Sequence, residues 1–277
     1  LEDHPDAWLL AGGTDLGLRL TKQHEEPACV LSLARVPELG KISRSESETV
    51  IGAAVSYTDA LDAISVLAPS FGDMIRRIGA EQIRAMGTIG GNIGNASPIG
   101  DTLPPLIALD AIVEIASRQG RRDIPLDDFF TGYRKTDLER GEIISAVRIP
   151  KPPLQRLVRI YKIARRYDQD ISAVSVAFAL DVANGQVTRA RAAFGGVADR
   201  PIRAHAVENA LIGQDWTLET ARAAASAVLQ SISPIDDARG SAVYRNAVCV
   251  NMLERLWWET AGPEGAPYSL DAVGNAA

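Results

Sequence analysis

Two glycine-rich segments contain the residues whose types and spacing could do chemistry. The first, LLAGGTDLG, spans residues 9–17, and the second, MGTIGGNIGNASPIGD, spans residues 86–101. Glycine costs backbone entropy on folding, so a cluster of glycines indicates tight turns or a backbone that lies close to a ligand. Successive backbone N–H groups with no side chain in front of them form a concave site for an anion. Together the two segments favour one ligand that carries a diphosphate and is held from two sides.

Both segments also have a purely structural interpretation. Gly-Gly after a strand is often only a turn, and residues 87–100 could be a crossover loop without a ligand. Neither segment contains the G-x-G-x-x-G of a Rossmann fold or the Gly-Lys-Ser/Thr of a P-loop. This excludes the two commonest nucleotide folds but not nucleotide binding itself. In the second segment Asp101 could bond ribose hydroxyls or cap the helix that follows.

The composition argues against several other classes of function. The chain has 277 residues, 46% of them hydrophobic, and a formal net charge of −6. We expect no nucleic-acid partner, because such a surface needs a basic face. We expect no transmembrane helix, because no run of about 18 apolar residues occurs.

Cysteine and histidine usage predicts neither a metal site nor a cluster. Cys29 and Cys249 are the only cysteines, which fits a reducing cytoplasm. An iron–sulfur cluster usually takes four thiolates, and the three histidines lack metal-ligand spacing. The sequence also shows no Ser/His/Asp set. We therefore predict no catalytic side chain, as is typical of a protein that positions a cofactor.

The first glycine segment is predicted to lie in a small βαβ unit. Trp8–Ala11 is a short apolar strand, Gly12-Gly13 is a tight turn, and Thr14 or Asp15 is expected to cap a helix. A second strand is predicted within residues 28–36, and a helix between two short strands is typical of a βαβ unit.

The rest of the chain predicts two further regions. In the first, strands are expected within residues 49–56, 111–126 and 141–150, and helices within 56–67, where SYTD fits a capping box, and 70–80. In the second, alternating strands within 157–166 and 171–182 are followed by the Asn-Gly hairpin signal of ANGQ (183–186) and by helical patterns within 203–213, 217–232 and 240–262. Strands followed by helices predict an α+β layer with helices on one face of a sheet.

The two segments AGGTDL and TIGGNIGNASPIGD resemble the FAD-binding domain of the molybdenum hydroxylases, the family of xanthine dehydrogenase, aldehyde oxidase and the medium subunit of carbon monoxide dehydrogenase. The resemblance covers nearly all of residues 7–262. It implies an α+β fold of FAD-binding type 2, like that of vanillyl-alcohol oxidase, with two subdomains and a C-terminal α+β domain of the carbon monoxide dehydrogenase flavoprotein type. The implied domains are residues 1–40, 41–152 and 153–262, with a flexible tail at 263–277.

The resemblance also implies which residues contact FAD. The pyrophosphate would be wrapped by Leu10, Ala11, Gly12, Gly13, Thr14 and Asp15, and its other side and the ribityl chain would be held by Thr88, Gly91, Asn92 and Asn95. Asp101 would bond the adenosine ribose. Ile78 would lie against the flavin, where the family often has an aromatic residue that can stack. Ile144 would pack on the isoalloxazine ring, and Lys162 would lie near the flavin.

Three details are similar to xanthine dehydrogenase within this family. They are ASPIGD, the Tyr-Arg-Lys segment of FFTGYRKTDLERGEII (129–144), and YKIARRYDQDISAV (161–174). In the third, the resemblance implies that the loop of Asp168, Gln169 and Asp170 lies close to the flavin ring and that the loop's charge influences whether NAD or oxygen takes the electrons. The resemblance is closest to the small subunit of bacterial xanthine dehydrogenases, without its N-terminal [2Fe–2S] domains. The abrupt start, LEDHPDAWLL, agrees with a piece of a longer polypeptide.

The implied function is electron transfer through FAD. Electrons from purine oxidation at a molybdenum centre in a partner subunit would pass through [2Fe–2S] clusters to FAD and on to NAD⁺, in a cytoplasmic heterotetramer. Three alternatives stay open: a flavoprotein of a molybdenum hydroxylase acting on an aldehyde, a heterocycle or CO; a non-catalytic docking subunit; and a stand-alone FAD reductase like the peptidoglycan-precursor enzyme.

Overall fold

The first region folds as the predicted βαβ unit. The computed structural model describes residue 1 and residues 3–262, so the predicted tail at 263–277 lies outside the described residues. Strands β1 (Trp8–Leu10) and β2 (Val30–Ser32) pair in parallel, and helix α1 (Leu16–Thr21) connects them. Asp15 holds the N-cap position of α1, but no side chain makes a capping hydrogen bond. The unit and the N-cap position of Asp15 are confirmed, whereas a capping hydrogen bond from its side chain is not.

The second region is built on a five-stranded antiparallel sheet. From edge to edge its strands are β3 (Ile42–Arg44), β4 (Glu48–Gly52), β9 (Ile143–Pro150), β5 (Ile112–Ser117) and β6 (Gly120–Pro125). Its helices are α2 (Tyr57–Leu67), α3 (Pro69–Arg76), α4 (Glu81–Met86), α5 (Ile89–Asn95), α6 (Leu103–Ala108) and α7 (Leu126–Phe129). A hairpin of β7 (Phe130–Gly132) and β8 (Lys135–Thr136) follows α7, and a 3-10 turn, Pro37–Gly40, precedes β3.

Helix α2 begins at the predicted capping motif. Ser56 Oγ accepts a hydrogen bond from the N–H of Asp59 at 3.1 Å and donates to Asp59 Oδ2 at 2.7 Å. The side chain thus satisfies one of the N–H groups that a helix start leaves without an intrahelical acceptor.

The second glycine segment is a helix, not the predicted loop. Thr88 Oγ1 accepts a hydrogen bond from the N–H of Gly91 at 3.0 Å and so caps α5. Ile89 and Ile93, one helical turn apart, are fully buried. A Cβ atom on Gly90 would lie 2.4 Å from that of Ala53, so the glycine permits close packing on the strand region. Cap and burial together outweigh the poor helix propensity of glycine.

The third region is a four-stranded antiparallel sheet with helices, as predicted. Its strands, in spatial order, are β10 (Leu157–Ile163), β11 (Val174–Ala183), β12 (Gln186–Gly195) and β13 (Ile202–Arg203). The helices that follow are α8 (His205–Leu211), α9 (Leu218–Ala227), which runs into a 3-10 turn at Val228–Gln230, and α10 (Ala242–Thr260). Asn184 and Gly185 both have positive φ at the β11–β12 turn, which confirms the hairpin signal.

The sheet of the third region, formed by β10–β13, packs against a hydrophobic core on each of its two faces. Alternate residues point to opposite faces of a strand. Ala177 and Ala179 of β11 join the core of the second region, whereas Val176 and Phe178 join a core formed with the helices of the third. The second and third regions therefore pack against each other through a shared hydrophobic core. Residues of α5 and α6 belong to the same core, so this packing holds both helices in place.

Candidate functional site

A cavity of about 680 Å³ lies between the βαβ unit and the second region. It is lined by residues of both glycine segments and of β9. The predicted site residues that line it are Ala11, Gly12, Gly13, Thr14, Asp15, Thr88, Gly91, Asn92, Asn95 and Ile144. The predicted residues that do not line it are Leu10, Ile78, Asp101 and Lys162. The structure therefore brings the two glycine segments to one cavity.

The two segments are in direct contact at Gly12. A Cβ atom on Gly12 would lie 1.7 Å from the carbonyl oxygen of Met86 and 3.0 Å from the Cα atom of Gly87. No side chain fits into that space. Glycine at position 12 is therefore what lets the β1–α1 turn approach the α4–α5 junction.

The β1–α1 turn presents backbone donors to the cavity. Among the described residues, none accepts a hydrogen bond from the backbone N–H groups of residues 12–16. Gly13 has a φ of +74°, a conformation that glycine adopts without a steric penalty. A run of free N–H groups at the start of a helix favours a bound anion. This segment has the donor set that the sequence predicted.

The second segment lacks that donor set, which corrects the predicted nest. The N–H groups of Ile89 and Gly90 donate to backbone carbonyl oxygens at 3.1 and 3.0 Å, and that of Gly91 donates to Thr88 Oγ1. The Asn92 N–H donates to the Thr88 carbonyl oxygen at 3.0 Å. Because helix formation has used these groups, the segment contributes side chains and a bare surface instead.

The bare surface is formed by glycines on the exposed side of α5. A Cβ atom on Gly91 would meet only the Thr88 hydroxyl, and one on Gly94 would meet only Ile144 Cδ1, at 3.5 Å. Both glycines line the cavity and are exposed to it. The helix therefore offers a flat floor on which a planar or extended ligand can lie.

Apolar side chains complete the cavity wall. They are Leu9, Leu16, Leu18, Leu33, Leu138, Ile143 and Ile144. Ile144 is nearly buried and also belongs to the core of the second region. Small-molecule sites typically combine such a lining with a few placed polar groups.

Charged residues that the sequence did not assign to the FAD contacts also line the cavity. Arg134, in the β7–β8 turn, approaches Asp15 to 3.9 Å between Nη2 and Oδ1. Arg19 forms an ion pair with Glu25 and stacks over the Trp8 ring at 4.0 Å. Arg134 and Asp15 are far apart in sequence, and only tertiary structure brings them together.

Tyr57 is a buried residue of the lining that sequence reasoning missed. Burial raises the pKa of its phenol strongly, and hydrogen bonding with Thr102 acts in the opposite direction. The phenol therefore stays neutral at physiological pH. Its position at the start of α2, after a cap, carried no signal of a cavity residue.

Asp101 and Lys162, which do not line the cavity, are paired with each other. Lys162 Nζ donates to Asp101 Oδ2 at 2.5 Å and to Ser172 Oγ at 2.9 Å, and Ser172 Oγ donates to Asp101 Oδ1 at 2.5 Å. Their side chains are 9% and 1% exposed, for Asp101 and Lys162 respectively. Asp101 makes no capping bond to α6. Both side chains already have protein partners, so their predicted contacts with FAD stay predictions.

The charged loop after β10 is an exposed turn with an anchor outside itself. Asp170 Oδ2 accepts from the N–H of Arg166 at 3.0 Å, and this bond is the largest of those that lower the Asp170 pKa. Arg77 Nε donates to the Tyr167 carbonyl oxygen at 2.8 Å and anchors the loop to the end of α3. The loop is a solvated turn that is held in place.

The described residues contain neither a metal-ligand cluster nor a membrane-spanning helix. Within residues 1 and 3–262 no group of three His, Cys, Asp or Glu side chains is placed to hold a metal ion. No helix in the same residues has the length and hydropathy needed to cross a membrane.

Comparison with known families matches both halves of the chain. Residues 1–152 match the family described as the FAD binding domain in molybdopterin dehydrogenase. Residues 159–260 match the carbon monoxide dehydrogenase flavoprotein C-terminal domain.

Individual relatives cover nearly the whole chain. The glyceraldehyde dehydrogenase medium chain of Sulfolobus acidocaldarius is 34% identical over 94% of this chain and 93% of its own length. The xanthine dehydrogenase FAD-binding subunit of Escherichia coli O157:H7 is 32% identical over 96% of this chain and 92% of its own length. A solved carbon monoxide dehydrogenase from Hydrogenophaga pseudoflava matches with a TM-score of 0.86 at 32% identity, covering 90% of this chain and 88% of that chain.

Proposed function

The chain belongs to the family of FAD-binding domains of the molybdopterin dehydrogenases, and from this premise we propose that it carries FAD and passes electrons in a molybdenum hydroxylase of the xanthine dehydrogenase type. The observation that carries the proposal is the cavity in which the β1–α1 turn, with its free N–H groups, faces the bare surface of α5.

The residues present fit FAD. The cofactor has a diphosphate, a polyol chain and two flat ring systems. Free N–H groups of residues 12–16 suit the diphosphate oxygens. Gly91 and Gly94 leave the floor free of side chains, and the leucine and isoleucine wall suits the rings. FAD, when bound, supplies the redox chemistry.

The chain's own residues bind, orient and exclude water. The N–H groups and Arg134 would neutralise negative charge without moving a proton. Tyr57 is neutral and so offers a hydroxyl and a ring face, not a charge. Ile143 and Ile144 would exclude water from the bound rings.

The finer prediction, xanthine oxidation with NAD⁺ as acceptor, is supported by sequence. The ASPIGD motif and the YKIARRYDQDISAV segment resemble xanthine dehydrogenase, and a relative of that name matches 96% of this chain. Relatives named for glyceraldehyde, carbon monoxide and nicotinate dehydrogenases match at similar identity. The molybdenum-containing partner subunit would select the substrate. Electrons would pass from that subunit through [2Fe–2S] domains to FAD, within a cytoplasmic heterotetramer.

The test uses the complete enzyme that contains this chain. Its bound flavin is followed by absorbance without oxygen, after adding NADH, xanthine or glyceraldehyde in separate samples. Bleaching by NADH and by xanthine supports the whole proposal. Bleaching by glyceraldehyde alone would support the FAD role but would mean that the enzyme oxidises an aldehyde and not xanthine. An enzyme in which this chain contains no flavin contradicts the FAD role and favours a docking subunit.

A further inference from the structure

Thr102 is fully buried, and its hydroxyl group does not cap the helix that it precedes. It holds the N-cap position of α6. A threonine there usually accepts from the N–H of the second or third helical residue. Because α6 begins at Leu103, those residues are Pro104 and Pro105, which have no N–H. Thr102 makes no capping hydrogen bond.

The hydroxyl binds the side-chain amide of Asn92 instead. Thr102 Oγ1 donates to Asn92 Oδ1 at 2.6 Å. An amide has one oxygen acceptor and one NH₂ donor group. Since the oxygen is engaged with a buried hydroxyl, the rotamer and the orientation of the amide are both defined.

The opposite end of the amide is left free. A Cβ atom on Gly100 would lie 3.2 Å from Asn92 Nδ2, closer than ordinary contact, so glycine gives the NH₂ group its space. Asn92 lines the cavity, and Nδ2 donates to no residue in the described part of the chain. The backbone N–H groups at the start of α5 are already bonded. The Asn92 NH₂ group is therefore a free donor at the start of a helix whose first backbone N–H groups are already bonded.

We propose that Thr102 is a positioning residue for FAD: it holds the Asn92 amide with its NH₂ group available in the cavity, where that group donates to an oxygen of the cofactor. The inference rests on the proposed function. The sequence T-L-P-P favours this role, because two prolines in the first turn of α6 leave the threonine hydroxyl without a capping partner.

The test is a double-mutant cycle on FAD affinity, measured by titration of the apoprotein form of the complete enzyme. Thr102→Val keeps the shape and removes the hydroxyl, and it is expected to weaken FAD binding roughly fivefold to tenfold, the effect of one lost hydrogen bond. Thr102→Ser keeps the hydroxyl and is expected to stay within about twofold of the wild type. The Thr102→Val change should have little further effect in an Asn92→Ala background, because the two groups act as one unit.

A matched control separates positioning from general damage. Thr49 is also a buried threonine, on β4, and does not line the cavity. Thr49→Val should leave FAD affinity unchanged. Equal FAD affinity in the wild type and Thr102→Val, or additive effects of Thr102→Val and Asn92→Ala, would overturn the inference while leaving the proposed function intact. A wild-type enzyme that binds no FAD would overturn the proposed function as well.

Asn92→Asp keeps the inference testable if Thr102→Val does not fold. The aspartate retains an oxygen for the Thr102 hydroxyl and replaces the NH₂ donor by a second oxygen. Its FAD affinity is expected to fall by at least about tenfold, because an acceptor and a negative charge then face the cofactor's oxygens. Affinity equal to that of the wild type in Asn92→Asp would show that the NH₂ group makes no such bond.

Discussion

The carbonyl oxygen of Met86 lies 1.7 Å from the point where a Cβ atom of Gly12 would be. The β1–α1 turn and the α4–α5 junction therefore touch backbone to backbone. This contact sets the distance between the free N–H groups of the turn and the surface of α5. A Cβ atom at Gly12 would clash with backbone, whereas one at Gly13 would meet only a side-chain atom and one at Gly17 would meet nothing within 4 Å. The shape of the cavity therefore depends most on the glycine at position 12.

Gly12→Ala should reduce FAD affinity by more than about tenfold and also destabilise the protein, since a clash with backbone cannot be relieved by a side-chain rotation. Gly17→Ala is the matched control, because a Cβ atom there would meet nothing within 4 Å. In α1 that alanine should stabilise the chain by up to about 1 kcal/mol. FAD titration and urea unfolding of both variants measure the difference. Equal behaviour of the two would refute the contact's role.

Arg134→Gln should weaken FAD binding roughly threefold to tenfold at low salt, because Asp15 would then face the diphosphate without a counter-charge. The loss should shrink as salt rises, since this ion pair is partly exposed. Arg140→Gln is the control: Arg140 pairs with Asp6 at 3.6 Å and does not line the cavity. If both variants bind FAD with the same affinity and the same salt dependence, Arg134 has no role at the site.

Lys162→Met should lower the free energy of unfolding by about 3–5 kcal/mol, because it leaves the buried Asp101 carboxylate without its cation. The exposed pair of Arg76 and Asp73 is the comparison, with an oxygen–nitrogen distance of 2.8 Å. Arg76→Met should change stability by less than about 0.5 kcal/mol. Denaturant unfolding of both variants is the measurement, and similar losses would mean that the buried pair is not special.

Asp237 should make the free energy of unfolding depend on pH in the acidic range. Burial alone would raise its pKa, but the hydrogen bonds from Arg239 and Arg245 and the charge of Arg245 outweigh burial and lower the pKa to about 2. A lowered pKa stabilises the folded state above the unfolded value of 3.8, and that stabilisation is lost as the pH falls toward 2.

Asp237→Asn should therefore cost about 2 kcal/mol near pH 6, and this cost should fall steadily below about pH 4 and approach zero only below about pH 1.5. Urea unfolding across this range checks both limits. Asp199→Asn, which removes an exposed carboxylate, controls for the change in net charge. A difference between the wild type and Asp237→Asn that is the same at every pH would contradict the assignment.

Local signals predicted much of the fold. The Ser56 cap, the Asn184-Gly185 turn and the alternation along β11 each depend on neighbouring residues, and each is present. Helix α5 was missed because glycine propensity argues against it. Burial of Ile89 and Ile93 decides the matter, and burial is a property of the whole fold.

Residue patterns alone predicted the part of the site whose hydrogen-bond donors all come from one continuous segment. The β1–α1 turn has its donors because a strand, two glycines and a helix follow one another. Tyr57 and Arg134 reach the cavity from elements far away in sequence, and neither carries a local signal. The pairing of Asp101 with Lys162, 61 residues later, likewise depends on the sheet of the third region packing on the second.

The central claim is that the cavity between Gly12 and α5 holds FAD, and a titration of the purified, flavin-free chain with FAD tests it most directly. The account predicts saturation at one FAD per chain, quenched flavin fluorescence, and loss of both in Gly12→Ala but not in Gly17→Ala. If the wild-type chain and the enzyme that contains it take up no FAD, the account is contradicted, and the glycine segments serve the packing of the fold alone.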